Sequence, residues 1–448
     1  MIEVTAFVDE GLGHSSYLVD LDDGRALVVD PPRFPEEHLA AARSRGVEIA
    51  FTADTHSHAD YVSGSPELAA RGATFLASQD ARLEVDHRDV AAGDEIQIGD
   101  GVALRAIATP GHTPDHLAYL VCEHGVPTAL FSGGSLMVGT VGRTDLLGTA
   151  PRDGLTRQLY RALRDEILTL PDELAVYPTH GAGSFCSAPG AADRTTTIGR
   201  ERATNPLLAA PDEDSFVEQL TAGFGSFPSY FARLPEVNRH GPRLYRDQPH
   251  LERVQITDLD AVVAAGAALI DVRPIDAFAA GHIPGALSIE LRPVFGSWLG
   301  WLVEPDRPLV FVLDADQDRA DLVRQCLTVG YEHLAGELDG GMDAARAFGI
   351  AEQRIELVEP SALAPTVIDV RQHDEYAAGH LPGAINVELG RLPDSTEDIS
   401  AGPVTVMCGH GERAMTGASI LAAHGHTDVS VLLGGPEDWA SVTGRALE

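Results

Sequence analysis

Near the carboxyl end of the chain a short apolar run, PVTVM, leads into Cys408-Gly409-His410-Gly411-Glu412-Arg413 and then into a helical pattern, MTGASILAAHG. A thiol therefore stands at the mouth of a helix. Backbone N–H groups of such a loop curl toward the sulfur, and the helix dipole and Arg413 add positive potential. That environment lowers a thiol's pKa and stabilises a thiolate or a terminal persulfide anion. Cys408 and Arg413 are the expected catalytic pair, with Gly409, His410, Gly411 and Glu412 as the loop that handles substrate.

A second set of chemistry-bearing residues lies in the first half. Thr55-His56-Ser57-His58-Ala59-Asp60-Tyr61 follows an apolar run, and TPGHTPDH with His112 and YPTHGAGSFC with His180 come later. Two histidines two residues apart at a strand end can both reach one ion, and a third from a distant loop leaves a position open for substrate. His56, His58 and His112 make a chemically sensible three-imidazole site for one divalent metal, Fe(II) or Zn(II). Asp60 and His180 are further candidates. Cys186, six residues after His180, either holds or relays sulfur or is a buried small hydrophobe. Arg143 and Asp145 are expected to form a structural ion pair under the site loops.

The elements that position these residues follow from an internal repeat. ALIDVRPIDAFAAGHIPGALSIEL, around Asp271, recurs as TVIDVRQHDEYAAGHLPGAINVEL around Asp369, with the same step from aspartate to the glycine before histidine. Each copy alternates short β-branched runs with amphipathic helical patterns, an α/β rhythm. Residues 251–352 and 353–448 are the expected repeats, and 1–250 the remaining unit. Asp369 and Arg371 are read as structural partners. In the first copy Asp314 falls opposite Cys408, while Arg319 matches Arg413 and Gly340-Gly341 matches Gly434-Gly435. A carboxylate cannot carry sulfane sulfur, so this copy is expected to be catalytically silent, with Cys326 in its core. Residues 195–250 read as helical and irregular, placed to pack over the site or to bridge to the repeats.

Composition bounds the partners. The 448 residues carry 67 acidic against 32 basic side chains, a formal charge of −35, which repels nucleic-acid phosphates and anionic lipid. Every formal cation is an arginine, since the chain has no lysine, and this excludes Schiff-base and P-loop lysine chemistry. The four dispersed cysteines are not a disulfide framework. With no basic leader or apolar span, the expectation is a cytoplasmic, multidomain protein without membrane or nucleic-acid partners.

D-V-R, G-H-x-P-G-A and C-x-x-G-x-R in the second repeat resemble rhodanese domains, which carry sulfur as a cysteine persulfide. Cysteine phosphatases enclose phosphate with C-x5-R, whereas Cys408 to Arg413 is C-x4-R, a smaller loop that suits one sulfur atom. The histidine segments resemble the metallo-β-lactamase fold, in particular its glyoxalase II and persulfide dioxygenase branches. His56, His58, Asp60, His112 and His180 match that metal signature, but Tyr61 replaces its next histidine and Gly134 stands at the bridging aspartate's place. Without that carboxylate the third ligand is left open among His58, Asp60 and water, or the site is empty.

The order of domains resembles bacterial persulfide dioxygenase–rhodanese fusions. The resemblance implies an α/β architecture: an N-terminal metallo-β-lactamase-like αββα sandwich followed by two rhodanese-like α/β domains with central parallel sheets. It also implies persulfide, thiosulfate or thiol substrates and a homo-oligomer. The expected function is rhodanese-type sulfur transfer through a Cys408 persulfide, fused to a persulfide dioxygenase-like domain with an altered metal site. Two other readings stay open: a metal-dependent hydrolase of a thioester or lactone with the repeats as scaffold, and a non-enzymatic persulfide carrier or sensor.

Overall fold

A computed structural model describes residues 2–186, 193–245 and 248–448. The chain divides into two compact units, one formed by residues 1–247 with 327–330 and the other by 248–326 with 331–448.

The first unit is built on two six-stranded sheets. β1 (Glu3–Asp9), β2 (His14–Asp20), β3 (Arg25–Val29), β4 (Glu48–Ala53), β5 (Thr74–Ser78) and β6 (Arg88–Val90) lie side by side in chain order. β7 (Glu95–Gly99), β8 (Val102–Ala108), β9 (Leu117–Glu123), β10 (Val126–Gly133), β11 (Ala175–Pro178) and β12 (Thr196–Thr197) do the same in the second sheet. Side chains alternate across a strand, and β2 shows the result. Tyr17 and Val19 join Leu27, Leu104, Tyr119 and Phe131 in the core between the sheets. Leu18, between them in sequence, faces the other way and packs with Ala42 and Leu68 of the helices Glu36–Arg45 and Ser65–Ala69. On the far sheet Leu120 and Leu130 pack against Leu159 and Leu163 of the helix Thr149–Asp165. Both outer faces are thus covered by helices, which makes the αββα sandwich.

The second unit contains two parallel five-stranded sheets of the same topology. In the first repeat β13 (Arg253–Val254), β14 (Ala268–Asp271), β15 (Leu287–Ser288), β16 (Leu309–Val312) and β17 (Leu334–Leu338) are ordered β13-β17-β16-β14-β15. In the second, β18 (Glu356–Val358), β19 (Thr366–Asp369), β20 (Ile385–Asn386), β21 (Val404–Met407) and β22 (Val429–Leu432) are ordered β18-β22-β21-β19-β20. The apolar strand runs are buried on both faces, as parallel sheets require.

The repeated D-V-R signature is a staple. Arg371 donates from Nη2 to Asp369 Oδ2 at 2.6 Å and to the Gly379 carbonyl at 2.9 Å, tying the end of β19 to the G-H-x-P-G-A turn. Arg273 does the same with Asp271 at 2.6 Å and Gly281 at 3.0 Å. Among the described residues no helix is long and apolar enough to cross a membrane.

Candidate functional sites

In the first unit the histidine-bearing loops leave the same end of the sandwich: Thr55–Tyr61 follows β4, His112 lies between β8 and β9, and His180 follows β11. Their ring nitrogens converge. His56, His112 and His180 place one nitrogen each within 4.8 Å of one another, and His56 Nε2 stands 3.3 Å from His180 Nε2. Two nitrogens bound tetrahedrally to one ion at about 2.0–2.1 Å would be about 3.3 Å apart.

Hydrogen bonds behind the rings fix which nitrogens face inward. The Arg143 carbonyl can only accept, so His112 Nδ1 donates to it at 2.8 Å and Nε2 keeps its lone pair. Thr55 Oγ1 donates to Asp30 Oδ2 at 2.8 Å and accepts from His56 Nδ1 at 2.8 Å, leaving His56 Nε2 unprotonated. Such partners orient ligating imidazoles. Burial, reinforced by the neighbouring imidazoles, pushes His56 and His180 well below the usual histidine range, and burial lowers His112 to about 4. All three are neutral near pH 7, as ligation requires.

His58, expected in the three-imidazole site, is not in this group. Its Nε2 lies 3.0 Å from Tyr61 Oη and 3.3 Å from Asp30 Oδ1. Burial opposes its charge, but the Asp30 carboxylate outweighs that, raising His58 while Asp30 is itself held low. His58 instead groups with Asp30 and His56, whose ligand atoms also lie within 4.8 Å of one another, and its Nδ1 is buried without a hydrogen-bond partner.

Asp60 is buried behind His180, Oδ2 lying 3.5 Å from His180 Nδ1, and desolvation raises its carboxyl to about 6. Cys186 lies beside this pair, buried, and desolvation raises its thiol well above the usual range. Gly134 explains the missing carboxylate: a Cβ there would stand 2.4 Å from His112 Cδ2, so the imidazole ring fills the side chain's space. Arg143 pairs with Asp145 at 2.7 Å, as expected, and also donates to the Phe185 and Gly225 carbonyls.

Motif spacing does not single out several supporting residues. His116 accepts the Gly134 N–H at 2.9 Å through Nε2, which occupies its lone pair. Asn238 donates to the carbonyls of His58 and Tyr61, and Tyr230 donates to that of Asp60. These bonds from the helical 195–250 segment fix the path of the histidine loop from well over a hundred residues away. Asp30 ends the apolar run RALVVD, and a carboxylate closing a buried strand is the one signal that could have flagged it.

In the second unit Cys408 follows β21 at its carboxyl end, beside the end of β19, the position where open parallel sheets place their sites. Sγ is buried and accepts the Gly411 N–H at 3.1 Å. Gly411 has φ +121°, and a Cβ there would stand 3.1 Å from Ile275 Cδ1, so the turn that brings this N–H to sulfur favours glycine. His410 is exposed and Glu412 half-buried. Arg413 lies under the loop, its guanidinium 3.7 Å from where a Gly409 Cβ would be. It is not free to face the sulfur alone: Nη1 and Nη2 donate to Glu375 at 2.7 and 2.8 Å. Burial pushes Glu375 up, but this pair outweighs it and holds the carboxyl below its ordinary value.

The first repeat's loop is built differently. Arg319 Nη1 donates to the carbonyls of Asp314, Ala315 and Gln317, and Nε to Glu337 at 3.0 Å. Carbonyl oxygens thus turn toward a guanidinium where the second repeat turns an N–H toward sulfur. Cys326 is buried, and burial raises its thiol.

Comparison with known proteins agrees with both halves. Residues 256–347 and 352–442 match the rhodanese-like domain family. The first unit is similar to a hydroxyacylglutathione hydrolase of Polaromonas sp., 35% identical over 169 residues, 37% of this chain and 61% of that protein. It is also similar to the human mitochondrial persulfide dioxygenase ETHE1, 28% identical over 203 residues, 44% of this chain and 73% of that protein. A metallo-beta-lactamase from Staphylococcus aureus superposes with a TM-score of 0.66 at 27% identity, covering 75% of this chain and 98% of that one. The chain is a fusion of a metallo-β-lactamase-fold domain with two rhodanese-like domains. Fold and histidine cluster together suggest a divalent metal.

Proposed function

We propose that this protein moves sulfane sulfur through a Cys408 persulfide. The observation that carries the reading is the buried Sγ at the mouth of the helix Glu412–Ala423, held by the Gly411 N–H. The Cys408 thiolate attacks the outer sulfur of thiosulfate or a persulfide. The new S–S bond forms as the donor's own S–S bond breaks, and sulfite or a thiolate leaves with the electron pair. A thiol or sulfite then removes the outer sulfur and returns the thiolate. This is covalent nucleophilic catalysis, with loop amides and helix dipole stabilising the anions. The Asp314 loop, lacking a thiol, has no part in the chemistry.

His56, His112 and His180 would hold one divalent ion, Fe(II) or Zn(II), in the first unit; such an ion supplies Lewis acidity or, as iron, oxygen chemistry. Thr55, Asp30 and the Arg143 carbonyl orient two of the rings. The similarity to persulfide dioxygenases favours a persulfide as this domain's substrate, and Gly134 speaks against two-metal hydrolysis. Sulfur transfer from thiosulfate to cyanide or a thiol tests the reading: Cys408→Ala should abolish it in folded protein, and unchanged turnover would refute it.

A further inference from the structure

Both repeats carry an arginine at the same point of the loop, yet the two arginines are held by carboxylates from different elements. In the second repeat Arg413 Nη1 and Nη2 donate to Glu375 Oε2 and Oε1 at 2.7 and 2.8 Å. Glu375 stands in the helix His373–Ala378, where its Oε2 also accepts the Gln372 N–H at 3.2 Å. At the matching place of the first repeat, the same step beyond the D-V-R arginine, the residue is Ala277. Arg319 is paired instead with Glu337 of β17 at 3.0 Å, and the residue matching Glu337 in the second repeat is Val431. The carboxylate has moved from a helix to a strand between the two copies.

The loop backbone differs in step with that move. Arg319 Nη1 donates to the carbonyls of Asp314, Ala315 and Gln317 at 2.8, 3.1 and 2.7 Å, whereas both Nη atoms of Arg413 are taken by Glu375. The Gln317 N–H closes a turn on the Asp314 carbonyl at 3.4 Å. Its counterpart, the Gly411 N–H, reaches the Cys408 sulfur at 3.1 Å. In a trans peptide C=O and N–H point in opposite directions, so carbonyls drawn to a guanidinium carry their N–H groups away from it. One chain thus holds both outcomes of the same loop.

We infer that Glu375 is a positioning residue for sulfur transfer: by engaging both Nη atoms of Arg413 it keeps the guanidinium from capturing the loop carbonyls, which leaves the Gly411 N–H for the Cys408 sulfur. The inference rests on the sulfur-transfer reading above and adds a residue to its machinery. Glu375 acts through Arg413 and touches no reacting atom. Without it, the Arg413 loop relaxes toward the arrangement seen around Arg319.

The test uses full-length protein and two probes: sulfur loading by thiosulfate, followed by intact mass, and alkylation by iodoacetamide, read on the peptide containing Cys408. An unfolding midpoint close to the parent's shows that each variant is folded. Glu375→Gln should slow both reactions by about tenfold, the low end for one lost hydrogen bond to an anion. Charge alone would do the reverse, since removing a carboxylate favours a nearby thiolate and the approach of anionic thiosulfate. Glu375→Asp, which keeps the charge, should recover part of the rate. With Arg413→Met in place, Glu375→Gln should no longer slow alkylation. Glu337→Gln, in the repeat without a thiol, should leave both rates as in the parent. Glu375→Gln reacting as fast as the parent or faster, or an equal slowing with and without Arg413→Met, would overturn the inference and leave the persulfide reading standing. A parent protein that takes up no sulfur on Cys408 would instead refute that reading, and the inference with it.

Discussion

His56 and His180, contributed by loops 124 residues apart, face each other through their Nε2 atoms at 3.3 Å. Only an ion or a shared proton makes that approach favourable between two buried neutral rings. With His112 they form one three-nitrogen group, while His58 groups with Asp30 and His56.

Metal content should therefore divide the histidines. Alanine at His56, His112 or His180 is expected to take bound divalent metal from about one equivalent to near none. His58→Ala should retain metal, weakened by about 10–100-fold in affinity at most, as for loss of an outer-shell partner. Elemental analysis after dialysis distinguishes the four variants. Equal loss from His58→Ala would restore it as a ligand.

Gly134→Asp tests whether the lost carboxylate can simply be put back. The new Cβ would stand 2.4 Å from His112 Cδ2, so the ring or the loop must move. We expect a lower unfolding midpoint, by an overpacking cost of about 1–3 kcal/mol, and less bound metal. A variant that is as stable as the parent and binds a second equivalent would contradict the geometry.

Asp369→Asn removes the charge opposite Arg371 in a buried pair. An uncompensated buried guanidinium costs about 3–5 kcal/mol. Asp271→Asn should cost a similar amount, because Arg273 is held the same way. Denaturant titration of each variant measures the loss, and sulfur transfer by the folded Asp369→Asn fraction should persist if the pair is a staple alone.

Acid should weaken the first unit through its buried histidines. His38, against Phe7 and hydrogen-bonded to Ser16 Oγ at 2.9 Å, is lowered to about 3 by burial and the field of His14. Its folded value is depressed, so below the unfolded value of about 6.5 the unfolded chain takes up a proton that the fold refuses. Stability is full above that pH and falls by about 1.4 kcal/mol per unit toward pH 3. His38→Gln, which cannot titrate, should reduce the slope of unfolding free energy against pH between 6 and 4. An unchanged slope would show that His38 protonates in the folded state.

Much of this was legible in the residues. The D-V-R and G-H-x-P-G-A repeats announced two parallel-sheet domains, and the aspartate at 314 marked the copy that has no thiol at its loop. His56 and His112 were legible because each follows a strand that ends at the same rim. The grouping of His180 with them, and of His58 with Asp30, was not, because both depend on the approach of Asp30 to His58 and on Asn238 and Tyr230 fixing the loop, contacts that local pattern does not encode. Glu375 was invisible for the same reason: nothing near Cys408 in sequence shows that Arg413 is already paired.

The Cys408 sulfur is proposed as the carrier. The direct measurement is mass spectrometry of the intact protein and its peptides after incubation with thiosulfate or a low-molecular-weight persulfide. One added sulfur atom is expected on the peptide containing Cys408, lost on exposure to an acceptor thiol and absent in Cys408→Ala. Persistent absence of that adduct, or its appearance on Cys122 instead, would contradict it.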